Sequence, residues 1–245
     1  MKKDHRHELV KNFNKYRIGL DDTFSFKCRS CGKCCKNRED IMLTSRDAFN
    51  IATMLGLTHK QVIEKYCEVY IGQDSRIPIV RLMPKGVNKV CPLLINDRCS
   101  VHSHKPVVCA LFPLGRVMTS EEAPKELGFG KPGEIEYVLT NAPCGTHRTK
   151  QKVRTWLEKI NLPVRDEFFI KWNKVVFTLM TSMQKYEKID GITGNALEML
   201  WGGIYMALYV DYDTQREFRF QFEANIAKIL GILAKLEHFK GGEGY

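Results

Sequence analysis

Four cysteines fall within eight residues of this 245-residue chain: Cys28, Cys31, Cys34 and Cys35, in the stretch Cys-Arg-Ser-Cys-Gly-Lys-Cys-Cys. A thiolate is a soft metal ligand, and two cysteines separated by two residues can close a tight loop on one ion or one cluster. Gly32 lies inside this loop, where a positive φ is often needed. The spacing therefore predicts a metal or cluster site.

A second group of cysteines follows further along the chain. It consists of Cys91, Cys99, Cys109 and, later, Cys144. With the first group these make eight candidate ligands, the number that two four-thiolate sites would use. Adjacent residues of an extended segment point in opposite directions, so the neighbouring cysteines 34 and 35 are expected to serve two centres, or to be one ligand and one neighbour. The first group is therefore predicted to be completed by the second.

The identity of the metal stays open at this point. The run C-x2-C-x2-C matches the first three ligands of a bacterial ferredoxin-type cluster, in which a remote Cys-Pro gives a further ligand that Cys91-Pro92 could supply. Zinc is also bound well by four cysteines. The sequence favours an iron–sulfur cluster, [4Fe–4S] in particular, with zinc as the alternative.

The ninth cysteine, Cys67, has a simpler explanation. A helix is predicted from Thr58 to about Tyr70, and Cys67 falls on its apolar face with Val62 and Ile63. A cysteine in that position is more often a small core residue than a ligand. We therefore leave Cys67 out of the predicted ligand set.

The chain is basic, with a formal charge of +10. Eight thiolates on two dipositive ions would reduce this to about +6. Cations interleave with the first cysteine group, at Lys27, Arg29, Lys33, Lys36 and Arg38. They are expected to offset the negative charge of a thiolate-ligated centre. The run lacks the aromatic residues of a base-stacking surface, so it does not favour nucleic acid as a partner and leaves a protein partner open.

Length and composition predict a folded cytoplasmic protein. The chain can bury a real core without disulfides, and nine cysteines in a reducing cytosol are expected to be thiols or metal ligands. The segment Met1 to Leu20 contains no continuous apolar core of a signal peptide. The most apolar segment, Ala196 to Val210, is shorter than the roughly 20 residues that span a bilayer and predicts a buried helix.

The elements that must position the cysteines are mostly helical. Helix-start patterns occur at Thr44 and Thr58, and alternating apolar residues predict extended segments at Arg76–Met83 and Glu134–Thr140. From Thr146 onward the chain is predicted to be helical, with apolar stripes over 153–160, 168–183 and 218–233. The predicted fold is mainly α with a small β element. A Cys-rich, metal-stapled domain of residues 1–150 is expected to pack against a helical region of residues 151–245.

The cysteine pattern resembles the CxxCxxCC (YkgJ-like) cysteine-cluster family, whose members are expected to chelate zinc or iron. Cys28 to Cys35 fit the naming motif, and Cys91-Pro92-Leu93-Leu94 fits its Cys-Pro-aromatic-Leu element, with leucine replacing the aromatic residue. The segment from Cys99 through Pro113 fits the next element, and Cys144-Gly145 resembles the closing Cys-Pro-Gly without its proline. The resemblance implies all eight cysteines as ligands over about residues 24–150.

The resemblance leaves the activity open. It suggests a metal-binding protein with a structural, redox or sensory role. A more distant resemblance to the cluster region of flagellin lysine N-methylases offers an enzyme acting on a protein or peptide substrate as the alternative. A zinc-stapled nucleic-acid-binding protein is a weaker alternative. The sequence contains no Gly-rich nucleotide loop after a strand and no nucleophile elbow, so no catalytic residue is predicted.

Overall fold

The structure is a computed structural model that describes residues 13–119, 133–189 and 194–240, with side chains described as far as residue 236. Helix accounts for 47% of it, and the strands form small antiparallel sheets. The fold is therefore mixed α/β with a helical C-terminal region, richer in strands than the small β element that the sequence predicts. Residues 1–12 of the N-terminal segment lie outside the described ranges.

The strands are short, with two to seven residues each. In chain order they are β1 Arg17–Ile18, β2 Thr23–Lys27, β3 Cys67–Ile71, β4 Pro78–Leu82, β5 Leu94–Ile95, β6 Arg98–Cys99, β7 Leu114–Met118, β8 Ile135–Leu139 and β9 Thr146–Lys152. The described strands form one three-stranded sheet in the order β1-β8-β7 and the pairs β2-β9, β3-β4 and β5-β6. All of these pairings are antiparallel.

The helices dominate the C-terminal part. In chain order they are α1 Phe13–Tyr16, α2 Ser45–Leu55, α3 His59–Tyr66, α4 Val107–Leu111, α5 Val153–Lys159, α6 Glu167–Tyr186, α7 Gly194–Tyr205 and α8 Phe218–Lys240. Short 3-10 turns occur at Lys33–Cys35 and His102–His104, and a π-helical turn at Met206–Val210 follows α7. Within the described ranges, none of the helices combines the length and apolarity that a bilayer crossing needs.

The chain forms two compact units. Unit 1 consists of residues 1–34 and 107–173, and unit 2 of residues 35–106 and 174–245. The chain therefore passes from one unit to the other three times, and its first passage lies between Cys34 and Cys35. The domain boundary between residues 150 and 151 stays a prediction.

The core of unit 1 is built around two strands and an aromatic cluster. Phe24 and Phe26 alternate with exposed or half-buried residues along β2 and are themselves buried. The Phe26 ring lies edge-on to Trp156, with the ring centroids 5.8 Å apart. The Trp156 indole N–H donates to the carbonyl of Leu111 at 3.0 Å, so α5 is tied to the end of α4. These contacts hold β2, α4 and α5 together in the core of unit 1.

Unit 2 begins with two helices whose start signals the sequence predicts correctly. Thr44 caps α2 in a capping box with Asp47, and Thr58 caps α3 in the same way with Gln61. Each threonine hydroxyl accepts a backbone N–H of the first turn, while the side chain three residues on accepts the N–H of the cap. Local sequence is therefore sufficient to place both helix starts.

Several other predictions are confirmed in type, with shifted bounds. The segments predicted as extended contain β4 and β8, and the three C-terminal apolar stripes lie in α5, α6 and α8. The segment of residues 196–210, predicted to be a buried helix, is helical as α7 followed by the π-helical turn. The prediction of burial holds only in part, since the buried residues of α7 are Leu200 and Ile204, and those of the turn are Ala207, Leu208 and Tyr209. Strand β8 is the centre of the three-stranded sheet, so its two neighbours satisfy both of its edges.

Two of the helix predictions are wrong. The segment Thr146–Lys152 is strand β9, because its backbone pairs with β2 and only Gln151 of its residues is buried. The helix that starts at Thr58 ends at Tyr66, and Cys67 begins strand β3 opposite Leu82. In both places, pairing with a partner strand elsewhere in the chain, β2 for β9 and β4 for β3, overrides the local helical pattern.

Candidate metal centre

Strand pairing brings the first cysteine group next to Cys144. In the β2-β9 pair, Lys27 lies opposite Thr146. Cys28 directly follows the end of β2, and Gly145 directly precedes the start of β9. The end of the strand pair therefore lies next to both Cys28, which follows β2, and the Cys144-Gly145 segment, which precedes β9.

The loop after β2 is held in a conformation that turns backbone amides toward sulfur. Ser30 and Gly32 have φ of 52° and 67°. The Ser30 N–H donates to the sulfur of Cys28 at 3.4 Å, and the Lys33 N–H bonds to the sulfur of Cys31. In each case the amide lies two residues after the cysteine. The positive φ predicted for Gly32 is confirmed, and that of Ser30 was not predicted.

Cys31 also receives an N–H from the distant segment. The Lys33 N–H and, more weakly, the Gly145 N–H stabilise the Cys31 thiolate and lower the pKa of Cys31, while partial burial opposes this shift. Hydrogen bonds to the charged form favour that form. The backbone therefore favours the deprotonated form of Cys31, which is the form in which a cysteine binds metal.

Cys144 is coupled to the sulfurs of the loop. Burial raises the pKa of Cys144 to about 11, and the negative charges of Cys34, Cys31 and Cys28 and a hydrogen bond with Cys34 act in the same direction. Cys144 is 7% exposed, Cys34 is half-buried, and Cys28 and Cys31 are exposed. These four cysteines therefore share one electrostatic environment at the edge of the unit 1 core.

Gly145 must be a glycine. Its φ is +76°, and a Cβ at this position would lie 2.5 Å from the Phe26 ring and 2.8 Å from the carbonyl oxygen of Lys27. The absence of a side chain lets the backbone of residue 145 lie against the end of β2, where its N–H reaches Cys31. The Cys144-Gly145 element therefore positions both a thiol and an amide.

The four thiols have the chemistry of a metal-binding set. A cation beside them would relieve the repulsion that raises the pKa of Cys144, and the amide bonds already favour thiolate at Cys31. Across residues 13–119, 133–189 and 194–240, no three Cys, His, Asp or Glu side chains stand at the spacing that holds an ion.

Three other predicted ligands belong to unit 2. The Cys91 N–H donates to the carbonyl of Cys35 at 2.8 Å, and the Leu94 N–H donates to the carbonyl of Cys91 at 3.0 Å. Cys99 pairs with Leu94 in the β5-β6 hairpin. Backbone hydrogen bonds thus connect the segments that carry Cys35, Cys91 and Cys99.

The remaining two cysteines lie on regular elements. Cys109 is a half-buried residue of α4 in unit 1. Cys67 is 7% exposed and belongs to the core of unit 2, as its predicted role requires. Burial, and next the charge of Cys91, raises the pKa of Cys67 to about 12. All nine cysteines fall in the described part of the chain, and none forms a disulfide.

The adjacent cysteines differ from the prediction in their backbone. Cys34 and Cys35 lie in the 3-10 turn Lys33–Cys35 rather than in an extended segment. Successive residues of such a turn are rotated by about 120° about its axis, so the two side chains still point in different directions. Cys34 packs against the unit 1 core, and the backbone of Cys35 is bound by unit 2.

The cations around the loop fall into two groups. Lys36 lies 2.7 Å from Asp97, and Arg38 lies 2.5 Å from Asp40, so these two are already ion-paired. Lys27, Arg29 and Lys33 are exposed beside the first cysteine group. The charge compensation predicted for all five cations stays a prediction, and Lys36 and Arg38 already have carboxylate partners.

The sequence missed the backbone donors. The relevant amides are those of Ser30, Lys33 and Gly145. Two features of the sequence could have indicated these amides. One is that Ser30 and Lys33 each lie two residues after a cysteine of the C-x2-C loop, and the other is the glycine directly after Cys144. Every residue except proline has a backbone N–H, so the identity of a side chain does not reveal which amide donates to a cysteine sulfur.

Residues 27–131 match the family model CxxCxxCC, described as "Putative zinc- or iron-chelating domain". The family resemblance predicted from the sequence is confirmed for this part of the chain. The matched range contains seven of the eight predicted ligands and ends before Cys144. No curated protein and no solved structure matches the chain.

Proposed function

We propose that the protein is a metalloprotein in which Cys28, Cys31, Cys34 and Cys144 hold one thiolate-ligated centre. The observation that carries the proposal is the pairing of β2 with β9, with Lys27 opposite Thr146, which places Cys28 and the Cys144-Gly145 segment at the same end of the strand pair. The raised pKa of Cys144, caused first by burial and then by the charges of the three loop cysteines and a hydrogen bond with Cys34, agrees with this proximity. Residue 144 is remote in sequence and lies outside the matched family range.

The centre is proposed to be an iron–sulfur cluster in preference to zinc. Three cysteines at C-x2-C-x2-C with a fourth from a remote segment follow the ligand pattern of [4Fe–4S] proteins. Amide hydrogen bonds to cysteine sulfur, as at Cys28 and Cys31, are among the features that set the reduction potential of such clusters. Zinc in the same four thiolates is the second candidate and would be purely structural.

The protein's own residues define what a bound centre would do. A cluster would supply one-electron transfer, and either metal would tie the end of β2 to the start of β9 through Cys28 and Cys144. Cys28 and Cys31 are exposed, so the centre would lie at the surface of unit 1. A redox or sensory role is therefore favoured over a buried structural one.

The other predicted ligands, Cys35, Cys91, Cys99 and Cys109, are proposed to bind metal as well. The hydrogen bond between the backbones of Cys35 and Cys91 supports a common role for these two. Single-residue ligand mapping assigns each cysteine to its centre.

The decisive experiment is anaerobic purification followed by iron, zinc and sulfide analysis and an absorption spectrum. Cys31→Ser and Cys144→Ser are expected to lose metal and visible absorption together, because both remove a ligand of the same centre. Cys67→Ser is the matched control, since it removes a buried thiol that is not in the proposed set. It is expected to keep the wild-type metal content.

Two results would contradict this proposal in different ways. A colourless protein with stoichiometric zinc and no sulfide would replace the cluster by zinc and leave the ligand set intact. Unchanged metal content in Cys144→Ser, with loss in Cys31→Ser, would remove Cys144 from the set.

A further inference from the structure

We propose that the outward face of the β2-β9 pair is a docking surface for an acidic protein, which it brings up to Cys28 and Cys31. The surface, called here the cationic face, consists of Lys27, Arg148, Lys150 and Lys152. All four residues are exposed.

Strand register places the cations on one side of the pair. Residues directly opposite each other in an antiparallel pair lie on the same face. The paired positions are Thr23 with Lys152, Ser25 with Lys150 and Lys27 with Thr146. Phe24 and Phe26 alternate with these residues and are buried on the opposite face. Arg148 is exposed in the irregular stretch where the register shifts between Ser25 and Lys27.

The positive charge of this face is largely uncompensated. Lys152 lies 4.0 Å from Asp21, whose carboxylate is also 3.5 Å from Arg154. Among the residues that the structure describes, no carboxylate lies within ion-pair distance of Lys27, Arg148 or Lys150. The face is therefore attractive to a negatively charged surface.

The cationic face is continuous along the chain with the cysteine loop. Lys27 directly precedes Cys28, and the exposed cations Arg29 and Lys33 flank the exposed Cys31. A macromolecule attracted to the strand pair therefore also meets the two exposed thiols. The positions of the cations and of the thiols together define one surface.

The residues of the face fit an acidic protein better than nucleic acid. Three of its four cations are lysines, which act as mobile point charges, whereas arginine forks recognise phosphate in two-point contacts. The residues that share the face, Thr23, Ser25 and Thr146, include no aromatic ring on which a base could stack. Such a surface favours fast, salt-sensitive, short-lived protein encounters.

The inference rests on the proposed function in one respect only, the transfer of electrons between the protein and its partner. If Cys28 and Cys31 hold a redox centre, the partner is an electron donor or acceptor. Docking itself depends on the charges alone and can be measured separately from metal content.

The test uses the full chain and a strongly acidic [2Fe–2S] ferredoxin as the probe. Binding is expected at low ionic strength and lost at high ionic strength. The double variant Arg148→Glu, Lys150→Glu is expected to weaken it by about tenfold or more. The double variant Lys228→Glu, Lys235→Glu makes the same charge change at exposed positions of α8 and serves as the matched control. It is expected to weaken binding by less than about twofold.

A second readout locates the contact. Carbodiimide cross-linking joins lysine amines to carboxylates, and mass spectrometry is expected to find Lys27 and Lys150 among the linked residues. Equal weakening by the two double variants, or no binding of the ferredoxin at low ionic strength, would overturn the proposal. Binding of a short duplex DNA that is lost in the first variant, with no ferredoxin binding, would assign the face to nucleic acid instead. Metal analysis of the same preparations reports separately on the proposed centre.

Discussion

The backbone N–H of Gly145 stabilises the thiolate of Cys31 and helps to lower the pKa of this thiol, although the two residues come from distant parts of the sequence. The amide can approach the thiol because β2 and β9 end together, with Lys27 opposite Thr146. The site is thus a product of strand pairing as much as of cysteine spacing.

Replacement of Gly145 by alanine is expected to destabilise the protein by about 2–5 kcal/mol. The new Cβ meets the Phe26 ring and the Lys27 carbonyl, and the residue keeps a φ of +76°. Urea unfolding of the metal-free protein measures the loss. Gly56→Ala is the matched control, because its φ is +63° and a Cβ there meets nothing within 4 Å. It is expected to cost about 1–2 kcal/mol. Equal losses in the two variants would contradict the close approach at Gly145.

Zinc is expected to protect the exposed thiols from alkylation. In metal-free protein, iodoacetamide should modify Cys28 and Cys31 quickly because they are exposed, and Cys67 slowly because it is buried. Added zinc should slow the modification of Cys28 and Cys31, as measured by mass spectrometry. In Cys144→Ser this protection should be weakened, because one ligand is missing. Full protection in that variant would show that Cys144 is not needed for metal binding.

The buried ion pair of unit 1 gives a prediction about stability. The Arg116 guanidinium lies 2.9 Å from the Asp166 carboxylate, with the side chains 7% and 2% exposed, and 3.8 Å above the Phe169 ring. Arg116→Met leaves the carboxylate buried without its cation and is expected to cost about 3–5 kcal/mol in urea unfolding.

Two comparisons check this interpretation. The Arg165–Glu167 pair is 70% and 71% exposed, so Arg165→Ala is expected to cost less than about 1 kcal/mol. Asp166 also accepts the backbone N–H of Phe169 at 3.2 Å at the start of α6. Asp166→Ser combined with Arg116→Met removes the buried charge and supplies a serine hydroxyl that can accept this N–H instead. This double variant is expected to be more stable than Arg116→Met alone, and lower stability would contradict the prediction.

His59 is expected to make unit 2 sensitive to acid. Its ring is fully buried and its Nδ1 donates to the carbonyl of Tyr209 at 2.7 Å. Burial lowers the pKa of His59 below its usual value, so the folded state holds the neutral ring. As the pH falls below the unfolded-state value of about 6.5, the unfolded chain binds a proton that the folded chain does not. The free energy of unfolding then decreases by up to about 1.4 kcal/mol per pH unit until the folded-state pKa is reached.

Urea unfolding between neutral and mildly acidic pH measures this effect. His59→Gln should flatten the pH dependence, whatever its own stability. His104→Gln should leave it unchanged, because the His104 side chain is exposed. An unchanged slope in His59→Gln would assign the acid sensitivity to other groups.

The sequence predicts what is encoded locally. The capping residues Thr44 and Thr58 and the apolar stripes of α5, α6 and α8 require only neighbours a few positions away. The cysteine set could likewise be recognised from spacing, and the family match covers most of it.

The features that the sequence does not predict depend on pairing between segments that are distant in the chain. Strand β9, Thr-His-Arg-Thr-Lys-Gln-Lys, has no apolar alternation, and only its pairing with the buried Phe24 and Phe26 strand makes it extended. The sequence offers Cys91-Pro92 as a remote ligand and includes Cys144 in the set, and which of them completes the first group stays a prediction; only the structure shows that Cys144 lies within reach of the charges of Cys28, Cys31 and Cys34. Proline after cysteine is a local signal, and the end of a strand pair is not.

The division of the chain into two discontinuous units has a consequence for biosynthesis. The first cysteine group leaves the ribosome about 110 residues before Cys144, and unit 1 is complete only when residue 173 has been made. At about 5–20 residues per second, the thiols at 28, 31 and 34 wait on the order of 5–20 s for their partner. During that interval the nascent chain carries three clustered thiols without the segment that closes the site. Metal loading is therefore expected to follow translation of the second half, and expression yield should depend on how well the cell protects nascent thiols from oxidation.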